Sequence, residues 1–299
     1  MIVVFGSINA DLIFRLERTP VPGQTLLAES LTTQPGGKGA NQAVAAALDG
    51  AEVWMAGAVG DDALARIALA GLRDAGVALD AVRVLPHVPT GCASICTDRA
   101  GRNQIAVALG ANAAAEASQV EPGMLGPATV LLLQMESPRA EVEALIARAR
   151  AAGCRIVLNL APAMPLGRNA LEQLDLLVVN EDEAETLGRA LGLGAGADAA
   201  ALHGAVGIAV IRTLGAAGAE AVTPSGRLAV PAPLIDAVDT TAAGDCFVGV
   251  LAAALDRGAD LRQAMRRAVA AASLACRREG SQRSLPRREA TDEAAAAAH

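Results

Sequence analysis

Short runs of valine, isoleucine and leucine alternate along the chain with alanine-rich segments that have helical periodicity. Near-continuous apolar strands separated by helices are typical of a parallel sheet that helices cover on both faces. We therefore expect a three-layer α/β/α fold with a mostly parallel central sheet, in one domain over residues 1–299. Strands are predicted at 2–5, 52–57, 130–134, 155–159, 176–179 and 208–213, and helices at 38–48, 62–75, 139–152 and 181–191.

Two stretches interrupt this alternation. Residues 12–33 carry Pro20, Pro22 and Gly23 between strand-like segments, and residues 91–108 read as two strands joined by a turn at 98–101. Neither stretch suits a parallel sheet, so together they predict a small β-element that projects from the main domain. This element is either a lid over a cleft or a plain surface hairpin.

Charge and composition narrow the classes of function. The chain has 32 acidic and 25 basic residues, a net charge of −7, which disfavours nucleic acid or an anionic membrane as a partner. The longest uncharged stretch, 122–135, is shorter than the ~20 apolar residues of a membrane-spanning helix, and the first residues lack the basic region of a secretory signal. The five cysteines and three histidines show no metal-ligand spacing, which predicts free thiols and no zinc. We expect a cytoplasmic protein.

A glycine-rich motif, Gly36-Gly37-Lys38-Gly39-Ala40-Asn41, opens the first predicted helix. Its glycines allow close backbone approach, and Lys38 and Asn41 place polar donors at a helix N-terminus, which favours anions or hydroxyl-rich ligands. The spacing fits neither a P-loop nor a dinucleotide fingerprint. The alternative is a tight turn before a helix.

A second motif, residues 239–245, ends in Asp245 and leads into an alanine-rich helix through residue 255. Small residues place successive backbone N–H groups at the helix start, where they can stabilise negative charge on a group in transfer. Asp245 would face the same point. The alternative is that Asp245 only complements the helix dipole.

Polar side chains follow several predicted strands. Asn180 and Glu183 come after the strand at 176–179, where a carboxylate suits Mg²⁺, although a solvated acidic helix start is the alternative. Ser137 is predicted to cap the helix that follows Pro138, which leaves Glu136 without a structural role and favours a ligand role for it. Asn9 and Asp11 follow the first strand and point to the same crevice, unless they only form a turn.

Taken together, the motifs resemble those of the ribokinase-like family of carbohydrate kinases. The resemblance rests on residues 6–11, 36–43, 180–183 and 239–245, with 110–112, 134–137 and 213–215, in order over essentially the whole chain. It implies phosphorylation of D-ribose at the 5-hydroxyl by ATP, with Mg²⁺ and a monovalent cation, K⁺, and a homodimer formed through the lid. The alternatives are a kinase for deoxyribose, fructose or a nucleoside, or a non-catalytic sugar sensor.

The resemblance also implies a role for each matching residue. Asp245 would be the catalytic base, beside an anion hole made by the backbone amides of Ala242, Ala243 and Gly244. The sugar would be held by Asn9, Asp11, Gly37, Lys38, Asn41 and Glu136. ATP would be held by Asn180, Thr213, Gly215, Gly218 and Gly244, and Mg²⁺ by Glu183 through water. The monovalent cation would be held by the Asp239 carboxylate, the Ser284 side chain and the carbonyls of Thr241, Ala275, Arg278 and Gly280.

Three positions depart from the family pattern. Val269 stands where some relatives have a polar residue near the adenine, Cys246 where threonine is frequent, and Arg283 beside the predicted cation loop is unusual. One tryptophan, three phenylalanines and no tyrosine leave little for stacking on a base, which favours a sugar over a nucleoside as the acceptor. A dehydrogenase is disfavoured because residues 6–8 lack the required glycine pattern.

Overall fold

The computed structural model describes residues 1–99 and 101–297, and within them thirteen strands form two sheets. The large sheet has the order β13-β12-β11-β10-β9-β8-β1-β4-β5, and the small sheet has the order β3-β2-β6-β7. The strands are β1 (Ile2–Phe5), β2 (Asn9–Arg15), β3 (Ser30–Gly36), β4 (Val53–Gly60), β5 (Ala78–Leu85), β6 (Gly91–Thr97), β7 (Asn103–Ala108), β8 (Val130–Leu133), β9 (Arg155–Asn159), β10 (Leu176–Val179), β11 (Ala209–Thr213), β12 (Ala219–Thr223) and β13 (Gly226–Val230).

Helices cover both faces of the large sheet. They are α1 (Lys38–Leu48), α2 (Ala63–Ala68), α3 (Ala70–Asp74), α4 (Arg139–Ala151), α5 (Arg168–Leu171), α6 (Glu181–Ala190), α7 (Ala199–Val206), α8 (Ala243–Asp256), α9 (Leu261–Ala275) and α10 (Arg288–Ala297). None of the helices within the described residues has the length and apolar character needed to cross a bilayer.

Alternate side chains of β1 belong to two different hydrophobic cores. Ile2 and Val4 pack with α1, α8 and α9, whereas Val3 and Phe5 pack with α4, α6 and α7. Because successive side chains of a strand point to opposite faces, two cores require a helical layer on each side. The predicted three-layer fold is confirmed, with parallel pairing from β5 to β11 and antiparallel pairing through β12 and β13.

The small sheet is assembled from the two stretches that interrupt the main alternation. β2 pairs antiparallel with β3 and parallel with β6, which pairs antiparallel with β7. Its strands extend beyond the predicted 12–33 region, since β2 begins at Asn9 and β3 ends at Gly36. Asn9 and Asp11 therefore lie inside a strand of the small sheet and not in a turn. Ala100, in the predicted turn at 98–101, lies outside the described residues.

One predicted helix is divided. The segment predicted at 62–75 forms α2 and α3, which meet at Leu69. The Leu69 N–H donates to Ala65 O and the Leu69 carbonyl accepts from Arg73 N, so the chain changes direction there without losing these backbone hydrogen bonds. Asp62 caps α2 by accepting a hydrogen bond from Ala65 N.

Candidate active site

Asp245 lies in the first turn of α8 with only 9% of its surface exposed. Its Oδ2 accepts a hydrogen bond from Asn41 Nδ2 at 2.9 Å, and its Oδ1 accepts one from Gln42 Nε2 at 2.9 Å. Burial raises the pKa of Asp245 above its ordinary value, against the opposing effects of Lys38 and the two amides. A buried carboxylate with a raised pKa is suited to accept a proton.

Small residues bring α1 against α8 and so bring Asn41 and Gln42 to Asp245. A Cβ added at Gly249 of α8 would lie 2.4 Å from Gln42 O and 2.7 Å from Ala45 Cβ. The two helices could not approach this closely with a larger side chain at that position. The helix contact that builds the site therefore depends on this glycine.

The N-terminus of α8 presents backbone donors beside Asp245. Ala242, the N-cap, has the left-handed angles φ 58° and ψ 13°, which are unfavourable for a residue with a Cβ. The Ala243 N–H donates to Thr240 O at 3.2 Å, whereas the Gly244 and Asp245 N–H groups have no protein acceptor among the described residues. Free amides at the positive end of a helix dipole form an anion site. Of the predicted anion hole, the Ala243 amide already has a partner.

Lys38 and Glu136 meet at the glycine-rich turn before α1. Attraction to Asp245 raises the pKa of Lys38, although burial opposes it. Glu136 Oε2 accepts hydrogen bonds from Ser7 Oγ at 2.5 Å and from Lys38 N at 3.2 Å. Glu136 therefore has structural partners, and the prediction that it lacks a structural role is wrong. It holds β1 to the start of α1.

The predicted cap at Ser137 is wrong. Pro138 takes the N-cap position of α4, and its carbonyl accepts from Val142 N and Glu141 N. Ser137 Oγ is buried with no hydrogen-bond partner. Because the helix begins one residue later than the prediction requires, the serine hydroxyl is not placed to accept from the first turn.

Asp11 and Asn9 project from β2 toward the same site. Burial, followed by the negative charges of Glu136 and Asp245, raises the pKa of Asp11 to about 7. A Cβ at Gly36 would lie 2.2 Å from Asp11 Oδ2, so the neighbouring strand makes room for the carboxylate. Asn9 Oδ1 accepts from Asn112 Nδ2 at 2.7 Å, and Asn112 also accepts from Ile8 N. Asn112 was not predicted to belong to the site.

Asn180 and Glu183 form a reciprocal capping box at the start of α6. Glu183 N donates to Asn180 Oδ1, and Asn180 N donates to Glu183 Oε2, both at 2.8 Å. This leaves Glu183 Oε1 without a hydrogen-bond partner in the described part of the chain, and burial raises the pKa of Glu183. Glu183, Lys38 and Asp245 line one cavity of about 160 Å³. One free carboxylate oxygen in a phosphate-sized cavity suits Mg²⁺, which keeps several waters and binds through few protein ligands.

A second cavity of about 290 Å³ adjoins the first and shares Thr213 and Gly244 with it. Gly215, Gly218 and Val269 also line it, together with Phe247. Gly218 has φ 101°, and a Cβ there would lie 2.1 Å from Val230 O, so only glycine fits. The lining is mostly apolar, and at Gly244 the cavity meets the one that Lys38, Glu183 and Asp245 line.

The residues of the predicted cation site come from two segments, the loop at 239–241 and the stretch 275–284 at and after the end of α9. Asp239 Oδ1 accepts from Thr241 N and Oδ2 from Gly280 N, both at 2.9 Å. Burial opposes ionisation of Asp239, but these hydrogen bonds together keep its pKa below the ordinary value. Arg278 and Ser284 line a different cavity, of about 890 Å³, and Ser284 Oγ donates to Ser281 O.

The remaining predicted cation ligand, Ala275, is the last residue of α9, and its carbonyl accepts from Arg278 N at 3.2 Å. Arg283 lines the same cavity as Asp239. Cys246 is fully buried behind Asp245, and burial raises the pKa of its thiol. Hydrogen bonds from Thr241 N and Gly280 N bring these two residues to Asp239. Arg283 lines both cavities, so the two regions adjoin, and the roles of Ala275, Arg278 and Ser284 stay a prediction.

Three further amide side chains, which were not predicted to act, surround Asn41 and Gln42. Gln282 Nε2 donates to Asn41 Oδ1, Gln134 Nε2 donates to Gln42 Oε1, and Gln42 Nε2 also donates to Asn159 Oδ1. The sequence marks the two residues, though not their pairing, because glutamine at 134 directly follows an apolar strand and glutamine at 42 interrupts an alanine-rich helix. A polar amide in such a place requires buried partners.

The chain is similar to known sugar kinases over nearly its whole length. Residues 1–288 match the family described as pfkB family carbohydrate kinase. It is 36% identical to ribokinases of Schizosaccharomyces pombe, covering 95% of this chain and 94% of that one, and of Bacillus subtilis, covering 98% of each. A deoxyribokinase of Salmonella typhi is 33% identical, with 95% of each chain covered.

Solved structures agree with this similarity. A ribokinase of Thermotoga maritima superposes with a TM-score of 0.91 at 31% identity, and 98% of each chain is covered. The ribokinase of Arabidopsis thaliana complexed with ribose and ATP superposes with a TM-score of 0.88 at 30% identity, again over 98% of each chain.

Proposed function

The chain belongs to the pfkB family of carbohydrate kinases, and we propose that it transfers the γ-phosphoryl group of ATP to the 5-hydroxyl of D-ribose. The observation that carries this proposal is the position of Asp245, a buried carboxylate beside the free amides at the start of α8. Ribokinases at 36% identity over almost the full length support ribose as the acceptor.

Asp245 acts as the base in this proposal. The 5-hydroxyl gives its proton to the Asp245 carboxylate, the 5-oxygen forms a bond to the γ-phosphorus, and the bond from that phosphorus to the bridging oxygen breaks to release ADP. Phosphoryl transfer of this kind needs mainly positioning and charge stabilisation. The raised pKa of Asp245 supports its role as proton acceptor, and Asn41 and Gln42 hold the carboxylate in place.

The phosphate groups would lie along the α8 N-terminus. The Gly244 N–H, with the amide of Ala242 and, once released from Thr240 O, that of Ala243, would stabilise negative charge on the transferring group. Lys38 adds a cation near Asp245. Bound Mg²⁺ would neutralise phosphate charge, held through water by Glu183, with Asn180 fixing that carboxylate. Thr213, Gly215, Gly218 and Val269 line the cavity that suits the nucleoside.

The sugar would bind between α1 and the small sheet, against Asn9, Asp11 and Asn41 with Glu136 nearby. Gly37 and Lys38 would contribute from the turn before α1. A buried carboxylate that binds a sugar hydroxyl would be left unpaired when a deoxy sugar lacks that hydroxyl, at a cost of about 1–3 kcal/mol. We therefore expect ribose to be preferred over deoxyribose.

Deoxyribose remains the second candidate, because a deoxyribokinase is 33% identical over 95% of the chain. A nucleoside is less favoured as the acceptor, since one tryptophan, three phenylalanines and no tyrosine leave the chain little to stack on its base. A fructose kinase or a non-catalytic sugar sensor has no specific observation in its favour, and the placement of Asp245 opposes the sensor.

A monovalent cation, K⁺, would bind beside Asp239, which stays ionised because backbone amides stabilise its charge. Oxygen ligands around one carboxylate suit a weakly hydrated cation. The loop holding Asp239 leads directly into Ala242 and the amides of α8, so the cation would fix the anion site.

A homodimer through the small sheet fits the exposure of that sheet. Phe14 and Leu31 are partners in the β2–β3 register and share the face opposite to Asp11, and Leu31 is 56% exposed. An antiparallel sheet that covers a site with one face usually has a polar outer face.

A cytoplasmic location is retained as part of the proposal.

The test is an ADP-release assay with Mg²⁺ and ATP, run across ribose, deoxyribose, fructose and nucleosides, with and without K⁺. We expect the highest kcat/KM with ribose. A higher value with deoxyribose or a nucleoside would reassign the acceptor, and no turnover with any of them would reject the kinase.

A further inference from the structure

Gln42 contacts Asp245 from inside α1, and the side chain is fully buried. Its Nε2 donates one hydrogen bond to Asp245 Oδ1 at 2.9 Å and the other to Asn159 Oδ1 at 3.0 Å. Both N–H groups of the amide are therefore in use. Gln42 has no direct access to the sugar in this arrangement, since Asp245 stands at the other end of its hydrogen bond.

The orientation of the Gln42 amide is determined by its surroundings. Asn159 Nδ2 donates to Val178 O at 3.2 Å, so its Oδ1 must be the atom that faces Gln42. The ionised Asp245 carboxylate also accepts only. Asn159 and Asp245 therefore both require the amide nitrogen of Gln42. The Gln42 oxygen points away from these two residues and needs a hydrogen-bond donor from another residue.

Gln134 supplies that donor from the residue after β8. Its Nε2 donates to Gln42 Oε1 at 2.6 Å, while its own Oε1 is buried without a partner among the residues that the structure describes. Gly6 accommodates this oxygen, because a Cβ there would lie 2.0 Å from it. A buried unpartnered carbonyl is unfavourable, so the side chain keeps this orientation for the bond to Gln42.

We propose that Gln42 is a positioning residue for the catalytic carboxylate, and that Gln134 fixes the orientation in which Gln42 donates to Asp245. The inference rests on the proposed function, in which Asp245 is the base. Asn41 donates to one oxygen of the carboxylate and Gln42 to the other, so the Asp245 side chain is held in one rotamer. An N–H donor on each oxygen also stabilises the ionised form of Asp245. The ionised form is the one that accepts the proton.

The experiment compares Gln42→Met and Gln134→Met with the wild type in the kinase assay, measuring kcat, the KM for ribose and the pH dependence of kcat/KM. Without the Gln42 donor the pKa of Asp245 rises, so the acidic limb of the profile should move to higher pH. We expect kcat to fall about 10–100-fold for Gln42→Met, with a small change in KM. Gln134→Met should also lower kcat and move the acidic limb to higher pH, and both effects should be smaller than for Gln42→Met.

Gln42→Glu keeps the shape of the side chain and provides a second variant. It places a carboxyl group against Asp245, so the acidic limb should move further in the same direction. If neither Gln42 variant folds, Gln134→Met alone decides the question, because its side chain does not touch Asp245.

Gln119→Met is the matched control. Gln119 donates through Nε2 to Gly57 O and Ala81 O and accepts from Glu116 N through Oε1, so its loss removes three hydrogen bonds of a half-buried glutamine away from the site. It should lower the melting temperature and leave the pH profile unchanged. Variants that lose stability but keep the wild-type acidic limb would overturn the positioning role. A wild type that phosphorylates no sugar would instead reject the proposed function.

Discussion

Asn41 Nδ2 and Asp245 Oδ2 are joined by a 2.9 Å hydrogen bond, although 204 positions separate the two residues in the chain. Asn41 stands in the first turn of α1 and Asp245 in the first turn of α8, so two helix N-termini meet at one point. The positive ends of both dipoles face the place where negative charge would develop. A proposed sugar-binding amide and the proposed base are thus held as one unit before any ligand binds.

Asp245→Asn should lower kcat by roughly 10²–10⁴-fold, the usual contribution of a positioned general base. The substituted amide has nearly the same shape but does not accept the 5-hydroxyl proton. Ribose binding, measured by calorimetry without ATP, should remain within a few-fold of the wild type. Turnover close to that of the wild type would remove Asp245 from the mechanism.

The central strands were predictable from sequence because they are buried on both faces and appear as continuous apolar runs. β1, β9 and β10 match their predicted bounds. β5 and the β12–β13 hairpin were missed, since these strands at or next to the sheet edges are only partly buried and carry mixed patterns. Edge strands owe their structure to a neighbour that the local sequence does not reveal.

The candidate site was predictable where a motif lies at the end of an element. Short polar segments at helix starts contain four of the proposed site residues, Lys38, Asn41, Glu183 and Asp245. The N–H groups at a helix start are unpaired, so the role of a polar residue there can be predicted from the local sequence. The support around them was not predictable in this way. Gln134 meets Gln42 only because the sheet and α1 pack together, and that pairing has no local signature.

Asp11→Asn should stabilise the fold at pH 8 while weakening ribose binding. The native pKa of Asp11 is raised to about 7, above the ordinary value of 3.8 in the unfolded chain. Between about pH 4 and pH 7 the native state therefore keeps a proton that the unfolded state has lost, and stability decreases as pH rises. Above pH 7 the full cost of burying the charge is present.

The measurement is the melting temperature of Asp11→Asn and of the wild type between pH 5 and pH 9. We expect the variant to melt about 2–5 °C higher at pH 8, with the difference shrinking as pH falls below 7. Asp74→Asn, at an exposed position, is the control and should show no such trend. A difference that stays constant across this range would contradict burial of the Asp11 charge.

Ala242→Gly should raise the melting temperature by about 1–3 °C, because the left-handed backbone at φ 58° costs alanine roughly 1 kcal/mol that glycine avoids. We expect kcat to fall several-fold, since glycine loosens the turn that aims the amides. His87→Gly relieves a similar strain, at φ 66°, at an exposed position away from the site. It should raise the melting temperature and leave kcat unchanged.

Asp239→Asn should remove activation by K⁺. The neutral amide offers one oxygen acceptor for the Thr241 and Gly280 amides in place of two, and it no longer attracts a cation. The kcat of the variant in KCl should equal that of the wild type in a buffer without K⁺. Asp236→Asn, in the preceding exposed loop, is the control and should keep its response. A K⁺ response retained by Asp239→Asn would place the cation elsewhere.

Leu31→Lys combined with Phe14→Lys should convert the proposed dimer to a monomer. The two positions face each other across β2 and β3 on the face away from Asp11, so two new positive charges on each chain would meet two more across a symmetric interface. Desolvating these charges without partners is unfavourable. Sedimentation velocity of the double variant should give the monomer mass, and Val84→Lys, which changes another exposed apolar residue on β5, should leave the dimer intact. A wild type that sediments as a monomer at working concentration would refute the dimer, and the apolar outer face of the small sheet would then need a different cover.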